Sequence, residues 1–280
     1  MSEVRVWVNG ALVGADEPAI AAIDHGVTVG DGAFETCKIV DGEAFAVSRH
    51  LARMDRTLAG LGLRGADHDR VREGAKAVLS AGESIAFGRL RWTITGGIGP
   101  LGSDRLDSDL TYVVTAGAVA PPPETVGIVT VPWVRNERAA TAGLKTTSYA
   151  DNVIALAEAK RHGAAEAIFA NTRGELCEGT GSNIFVVQDG VVSTPPVTDG
   201  PLAGITRGLV IEWAAGAGVE IREETLPLEV LHTCDEIFLT SSLKDVRPVS
   251  RCDDRDLAAG PVSRMLQDVW ETKEAEGIDP

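Results

Sequence analysis

Residues 143–152 read GLKTTSYADN, a lone lysine among small and hydroxylated residues just ahead of a segment with helical periodicity. A surface lysine needs no such setting. An amine is a nucleophile only when neutral, and burial or nearby positive charge is what frees its lone pair. The helix start that follows carries a partial positive charge that acts in the same direction. Lys145 is therefore the first candidate for covalent chemistry.

The sequence around it is organised in two parts. Asn9-Gly10 and Asp41-Gly42 separate strand-like runs and suit tight hairpin turns, which require positive φ. Leu51, Met54, Leu58 and Leu61 share one helical face, with Ser48 as the expected N-cap, and a second helix is expected over residues 67–82. GRLRWTITGG and LTYVVTAGAVA read as strands, and Pro121-Pro122-Pro123 marks the boundary, because three prolines fit neither a helix nor a central strand. Beyond it, VGIVTVPWV reads as a strand. A helix over about Asp151 to His162 places Val153, Leu156, Ala157 and Lys160 at helical spacing. EAIFAN and NIFVVQDGVVSTPP read as strands, GITRGLVIEWAAGAG as a helix, CDEIFLTSSLKDVRPV as a strand leading into a polar loop, and the tail from Pro261 as a helix. The expected domains are residues 1–118, a smaller α/β unit, and 126–280, a larger one, joined by a loop at 119–125.

Bulk properties narrow the function. The 280-residue chain is 44% apolar, enough for a sizeable core, and its formal net charge of −15 disfavours nucleic acid and anionic membrane as partners. MSEVRVWVNG lacks the pattern of an export signal. Four scattered cysteines (Cys37, Cys177, Cys234 and Cys252) and the absence of any HExxH pattern give no disulfide framework and no metal site. The expectation is a soluble protein of a reducing cytosol, with Cys37 and Cys177 as small buried residues.

Other candidates follow from local chemistry. Glu178 ends a strand before a glycine-rich turn, where a carboxylate caps a turn or faces a heterocyclic nitrogen. Gly204, Ile205 and Thr206 open a helix whose free N–H groups suit a phosphate. Ser241 and Ser242 add two hydroxyls after a strand. Arg53 lies on the Leu51–Leu61 helix, on its solvated face if it has no role. A reactive lysine, a carboxylate and a phosphate cradle together describe pyridoxal phosphate, which needs all three.

The segments DHGVTVGDGAFETCKIVDG, HLARMDRTL, GLKTTSYADNVIALAEAKRHGAAEAIFAN, LCEGTGSNIFVV, LAGITR and FLTSSLKDVRPV, in this order, resemble the class IV aminotransferases. That family includes branched-chain aminotransferases, D-amino-acid aminotransferases and aminodeoxychorismate lyases. The resemblance implies an α/β (α+β) fold of two domains, fold-type IV, with the cofactor in the interdomain cleft, and a homodimer whose partner chain completes the substrate pocket. It implies that Lys145 is the Schiff-base lysine and that Glu178 meets the pyridine nitrogen. Arg53, Ile205, Thr206 and Ser242 match the phosphate contacts, and Tyr149 more loosely a tyrosine at the phenolic oxygen.

The substrate pocket departs from each subfamily. GAFETCKI, with Phe34, Glu35 and Lys38, is closer to the D-amino-acid and branched-chain types, since the lyases carry threonine where Glu35 stands. The arginine and histidine of D-amino-acid enzymes are missing from the loop IGPLGSDR. Arg89 and Arg91 alternate on one strand and so share a face, and Arg91 lies near the place of a carboxylate-binding arginine in branched-chain enzymes. Lys38 could assist, and Arg105, Arg135 and Arg138 are further candidates. The expected reaction is transfer of an amino group from D-amino acids, with (R)-primary amines as further donors, to a 2-keto acid such as 2-oxoglutarate or pyruvate. The alternatives, in order, are aminodeoxychorismate lyase, a branched-chain L-amino-acid aminotransferase, and a cofactor-holding member without turnover.

Overall fold

The computed structural model describes residues 4–280, so the first three residues of the opening decapeptide and of the expected first domain lie outside the described residues. Its contacts divide the chain into two compact units. The first runs through Pro121 and adds Leu144–Ser148 and Ile278–Pro280; the second comprises Pro122–Gly143 and Tyr149–Gly277.

The first unit contains β1 (Arg5–Val8), β2 (Ala11–Val13), a short α1 (His25–Thr28), β3 (Gly32–Val40), β4 (Glu43–Ala44), α2 (Val47–Leu61), α3 (His68–Ser80), β5 (Phe87–Thr95) and β6 (Thr111–Ala118). The strands form one antiparallel sheet in the order β2-β1-β6-β5-β3-β4. The β1–β2 turn has Asn9 at φ 48° and Gly10 at φ 109°, and the β3–β4 turn has Asp41 at 49° and Gly42 at 89°, as the dipeptides predict. Period-two alternation then sorts β3 and β5. Ala33, Cys37, Ile39, Leu90, Trp92 and Ile94 bury against Leu51, Met54 and Leu58 of α2 and Val71 and Val78 of α3. Each such large apolar side chain contributes roughly 1.5–3 kcal/mol by its burial.

The start of α2 differs from expectation. Ala46, in the left-handed region at φ 57°, is the N-cap and brings no side-chain acceptor. Ser48 lies inside the first turn and is itself capped from the far end of the chain. Its amide donates to Asp279 Oδ1 at 3.0 Å and its hydroxyl to Asp279 Oδ2 at 2.5 Å. Ile278 O accepts from Ala46 N at 2.8 Å, and Pro280 O from Arg49 Nε at 2.8 Å. A carboxylate there also complements the positive end of the helix.

The second unit contains β7 (Val126–Arg135), α4 (Ala150–Arg161), β8 (Glu166–Asn171), β9 (Leu176–Gly179), β10 (Asn183–Gln188), β11 (Val191–Thr194), α5 (Ile205–Gly216), β12 (Ile221–Glu223), β13 (Glu236–Ser241), β14 (Asp245–Cys252), β15 (Arg255–Asp256) and α6 (Pro261–Glu274). Its mixed sheet runs β12-β11-β10-β13-β14-β7-β8-β9, with β15 on β14; β14–β7, β7–β8 and β11–β12 are parallel pairs. Two expectations are corrected. The polar loop after β13 is a tight turn, and DVRPV returns as β14, paired with β13 from Ser241↔Asp245 onward. On α4 the buried residues are Asn152, Ala155 and Ala159, whereas Val153 is 65% exposed. Small side chains let the helix approach Val129, Val131 and Phe169 closely, so size and not apolarity picks the face.

Candidate active site

In the first unit, Leu144–Ser148 runs along the edge of the β3 start. Phe34 N donates to Lys145 O at 3.1 Å, Thr147 N to Gly32 O at 2.8 Å, and Ala33 bridges Thr146. Backbone pairing therefore fixes Lys145 against Phe34, and the lysine amide also donates to Thr57 Oγ1 of α2 at 3.3 Å. The Lys145 Nζ lies 4.3 Å from the Phe34 ring centroid, and the Arg91 guanidinium lies 3.7 Å from the same centroid. The register explains the meeting. Phe34 opposes Thr93, Thr36 opposes Arg91, and Lys38 opposes Arg89, so all six occupy the face of the sheet away from α2. Arg89 is exposed; Lys38 is 2% exposed, a buried residue and not a solvated hairpin lysine, with its Nζ 5.3 Å from the Phe45 ring centroid.

Arg53 is likewise buried, at 5% exposure, and does not lie on a solvated helix face. Its Nε and Nη2 donate to Glu35 Oε1 and Oε2 at 2.8 and 2.6 Å, and His50 Nδ1 lies 2.7 Å from Glu35 Oε2. Burial pushes the Glu35 carboxyl up, but the Arg53 charge and hydrogen bonds and the His50 contact outweigh it and hold it at about 2. Burial lowers His50, only partly offset by Glu35, so the imidazole favours its neutral form. In the sequence, the alternation of Glu35 with Cys37 and Ile39 is the signal that its carboxylate points inward. Asp31 takes Arg105 in a two-point pair, Nε–Oδ2 2.7 Å and Nη2–Oδ1 2.5 Å, so this candidate is committed within the chain.

In the second unit, Glu178 stands at the end of β9, half-buried, as its sequence context predicts. Its Oε2 accepts from Leu202 N at 2.9 Å, and its Oε1 lies 3.2 Å from Arg135 Nε. Tyr149 is the N-cap residue of α4 and accepts through its carbonyl from Val153 N at 3.1 Å. Ile205 and Thr206 are the first residues of α5, whose N-cap Gly204 offers no side chain. Glycine is required there because a Cβ would collide with Asn183 Oδ1. Ser242 is half-buried in the β13–β14 turn, which Lys244 pins by an ion pair to Glu166. Glu166 also accepts from Thr180 Oγ1 and Gly181 N, a link between that turn and the glycine-rich one that sequence reasoning missed. Arg138 is exposed, 3.7 Å from Glu137. All four cysteines are buried and free; burial pushes the Cys252 thiol up to about 12, and those of Cys37 and Cys177 up as well.

These groups fit the cofactor that the sequence implies. Among the described residues, Thr240 Oγ1 and Ser182 Oγ are buried without a hydrogen-bond partner, one beside Ser241 and one in the glycine-rich turn. The N-cap Gly204 supplies no side-chain acceptor to the first-turn N–H groups of α5, which suits an anion. Within the same unit the Glu178 carboxylate, held by Leu202 N and Arg135, is fixed in place to meet a heterocyclic nitrogen.

Comparison with known proteins agrees. The family described as Amino-transferase class IV matches residues 32–252. The chain is 30% identical over 277 residues to a putative branched-chain-amino-acid aminotransferase of Methanocaldococcus jannaschii, covering 95% of this chain and 94% of that protein. It is 29% identical over 273 residues to a D-alanine aminotransferase of Staphylococcus haemolyticus, covering 94% and 95%. Among solved structures, the branched-chain aminotransferase of Escherichia coli superposes with a TM-score of 0.87 at 24% identity, over 96% of this chain and 93% of that one, which shows the shared fold-type IV architecture. A hypothetical aminotransferase of Mycobacterium tuberculosis in its PLP-bound form superposes with a TM-score of 0.85 at 26% identity, over 96% and 98%.

Proposed function

We propose that this chain, which belongs to the class IV aminotransferases, is a pyridoxal-phosphate-dependent amino-acid aminotransferase that moves the amino group of a D-amino acid to a 2-keto acid such as 2-oxoglutarate or pyruvate. One observation carries the amino-acid part of this reading. Lys145 and Arg91 lie over the same Phe34 ring, 4.3 and 3.7 Å from its centroid. An amine that handles the substrate nitrogen and Cα and a guanidinium, the group best shaped for a carboxylate, thus both contact this one aromatic ring. The competing arginines are otherwise placed: Arg105 with Asp31, Arg135 with Glu178, and Arg138 on the surface.

Bound pyridoxal phosphate supplies the electron sink for the negative charge that develops at the substrate Cα. The protein's share is positioning and proton transfer. Lys145 carries the cofactor at rest, then takes the Cα proton as general base and returns it as acid. Glu178 holds a proton at the ring nitrogen. Arg53, the α5 N-terminus at Ile205 and Thr206, and Ser242 hold the phosphate, with Tyr149 at the phenolic oxygen. Arg91 binds the substrate carboxylate, Phe34 packs beside the reacting carbon, and the exposed Arg89 extends the positive face toward acidic substrates, with the buried Lys38 opposite it on β3. The Staphylococcus haemolyticus relative supports D-amino acids as donors.

A branched-chain reading is favoured by the Methanocaldococcus jannaschii relative. One experiment separates them. Cofactor-loaded protein is mixed in turn with D-alanine, D-glutamate, L-leucine and (R)-1-phenylethylamine, without acceptor, and its absorbance is followed. Conversion to the pyridoxamine form with the D-acids supports the proposal. Conversion with L-leucine alone replaces it with the branched-chain reading. No conversion with any donor rejects both and points to the lyase, with aminodeoxychorismate as the next compound. Assembly as a homodimer completes the proposal. It is supported by large apolar residues left exposed, Leu101 at 82% and Val27 at 64%, and is tested by light scattering.

A further inference from the structure

Arg135 ends β7 and makes three contacts at once. Its Nε lies 3.2 Å from Glu178 Oε1, its guanidinium stacks 4.2 Å from the Phe169 ring centroid, and its Nη1 donates to Asn152 Oδ1 at 3.0 Å. Asn152 is anchored in turn, its amide donating to Thr180 O in the glycine-rich turn after Glu178. On the other side, Leu202 N donates to Glu178 Oε2 at 2.9 Å. Each oxygen of Glu178 thus faces a separate fixed group. The Arg135 Nε is buried and finds no aligned acceptor, so its approach to Oε1 is an ion contact, not a formed hydrogen bond. A guanidinium held by a ring and an amide, and kept from a relaxed hydrogen bond, is placed by its surroundings and in turn places the carboxylate.

We propose that Arg135 is a positioning residue that acts through Glu178, fixing the carboxylate's orientation and charge so that protonation of the cofactor's ring nitrogen depends on an arginine that never touches the substrate. The inference rests on the assignment of Glu178 to the ring nitrogen. It removes Arg135 from the set of substrate-carboxylate arginines and gives it a role in the strength of the electron sink. The physical reason is that an opposite charge at contact distance favours the ionised carboxylate, and an ionised carboxylate favours a protonated partner nitrogen. Arginine suits the task better than lysine, because only a planar guanidinium can stack on Phe169 while reaching both Glu178 and Asn152.

The test uses wild type, R135Q, R135K, E178Q and the R135Q/E178Q double variant. Two readouts are taken: the affinity of each apo-protein for added pyridoxal phosphate, and the pH at which the visible band of the loaded protein titrates. E178Q is expected to weaken binding and move the titration midpoint. R135Q is expected to move the midpoint in the same direction and to weaken binding about tenfold, the size of one charge-assisted contact. R135K falls between R135Q and wild type. The double variant is expected to be no worse than E178Q alone, because two residues acting through one group are not additive. If E178Q shifts the midpoint and R135Q and R135K do not, or if the two losses add in the double variant, Arg135 is structural and the inference is overturned. If E178Q itself leaves the midpoint at the wild-type value, the assignment of Glu178 fails, and the inference falls with it for that separate reason.

Discussion

The carboxylate of Glu35 and the guanidinium of Arg53 form a two-point pair inside the first unit, with Nε–Oε1 at 2.8 Å and Nη2–Oε2 at 2.6 Å. Their side chains are 0% and 6% exposed, so the guanidinium depends on this carboxylate for its charge balance. Removing one partner of a buried pair leaves the other uncompensated, at a cost of about 3–5 kcal/mol. Glu35→Gln is therefore expected to lower stability by about that amount. The denaturant midpoint of the apo-protein measures it; an unchanged midpoint would mean that water or another group already balances Arg53.

The same cluster sets an acid sensitivity. Glu35 sits at about 2 in the folded protein, below its unfolded value, so its stabilising contribution is complete above the ordinary carboxylate range and lost as pH falls toward 2. His50 is also lowered, mainly by burial, so its contribution is complete above the ordinary imidazole value of about 6.5 and declines as pH drops below it. Both signs agree. Stability is expected to fall in two stages on acidification, the first starting below about pH 6.5. His50→Gln removes the first stage only. A wild-type midpoint that stays flat from neutral pH into the carboxylate range contradicts this.

What sequence could supply follows from how local each determinant is. The hairpins at Asn9-Gly10 and Asp41-Gly42 are legible because positive φ is demanded within two residues. The α2 face is legible because Leu51, Met54 and Leu58 recur with the helix period. Lys145, Glu178 and the α5 start stand out through neighbouring small, polar and glycine residues. Partners far away in the chain do not: the acceptor for Ser48 is 231 residues distant, and Arg135 on β7 meets Glu178 on β9 across the intervening β8. The α4 face fails for another reason. Apolarity points to Val153, but close packing selects Ala155 and Ala159.

The capping of α2 by Asp279 gives a local prediction. A lost N-terminal capping interaction costs about 1 kcal/mol, and Asp279→Ala is expected to lower stability by that much. Ser48→Ala should cost less, since the amide contact to Asp279 Oδ1 survives it. In the Asp279→Ala background Ser48→Ala should cost almost nothing. Chemical denaturation of the four proteins checks this, and additive losses would show that Ser48 works independently of Asp279.

Lys145 is the residue on which the chemistry depends. Borohydride reduction of the cofactor-loaded protein fixes the cofactor to whichever lysine carries it, and mass mapping of the digested chain names that residue. The predicted result is a single pyridoxyl modification at Lys145, absent when Lys145→Ala is treated the same way. Modification at Lys38 or Lys244 instead, or none at all, would contradict the assignment and the proposed mechanism with it.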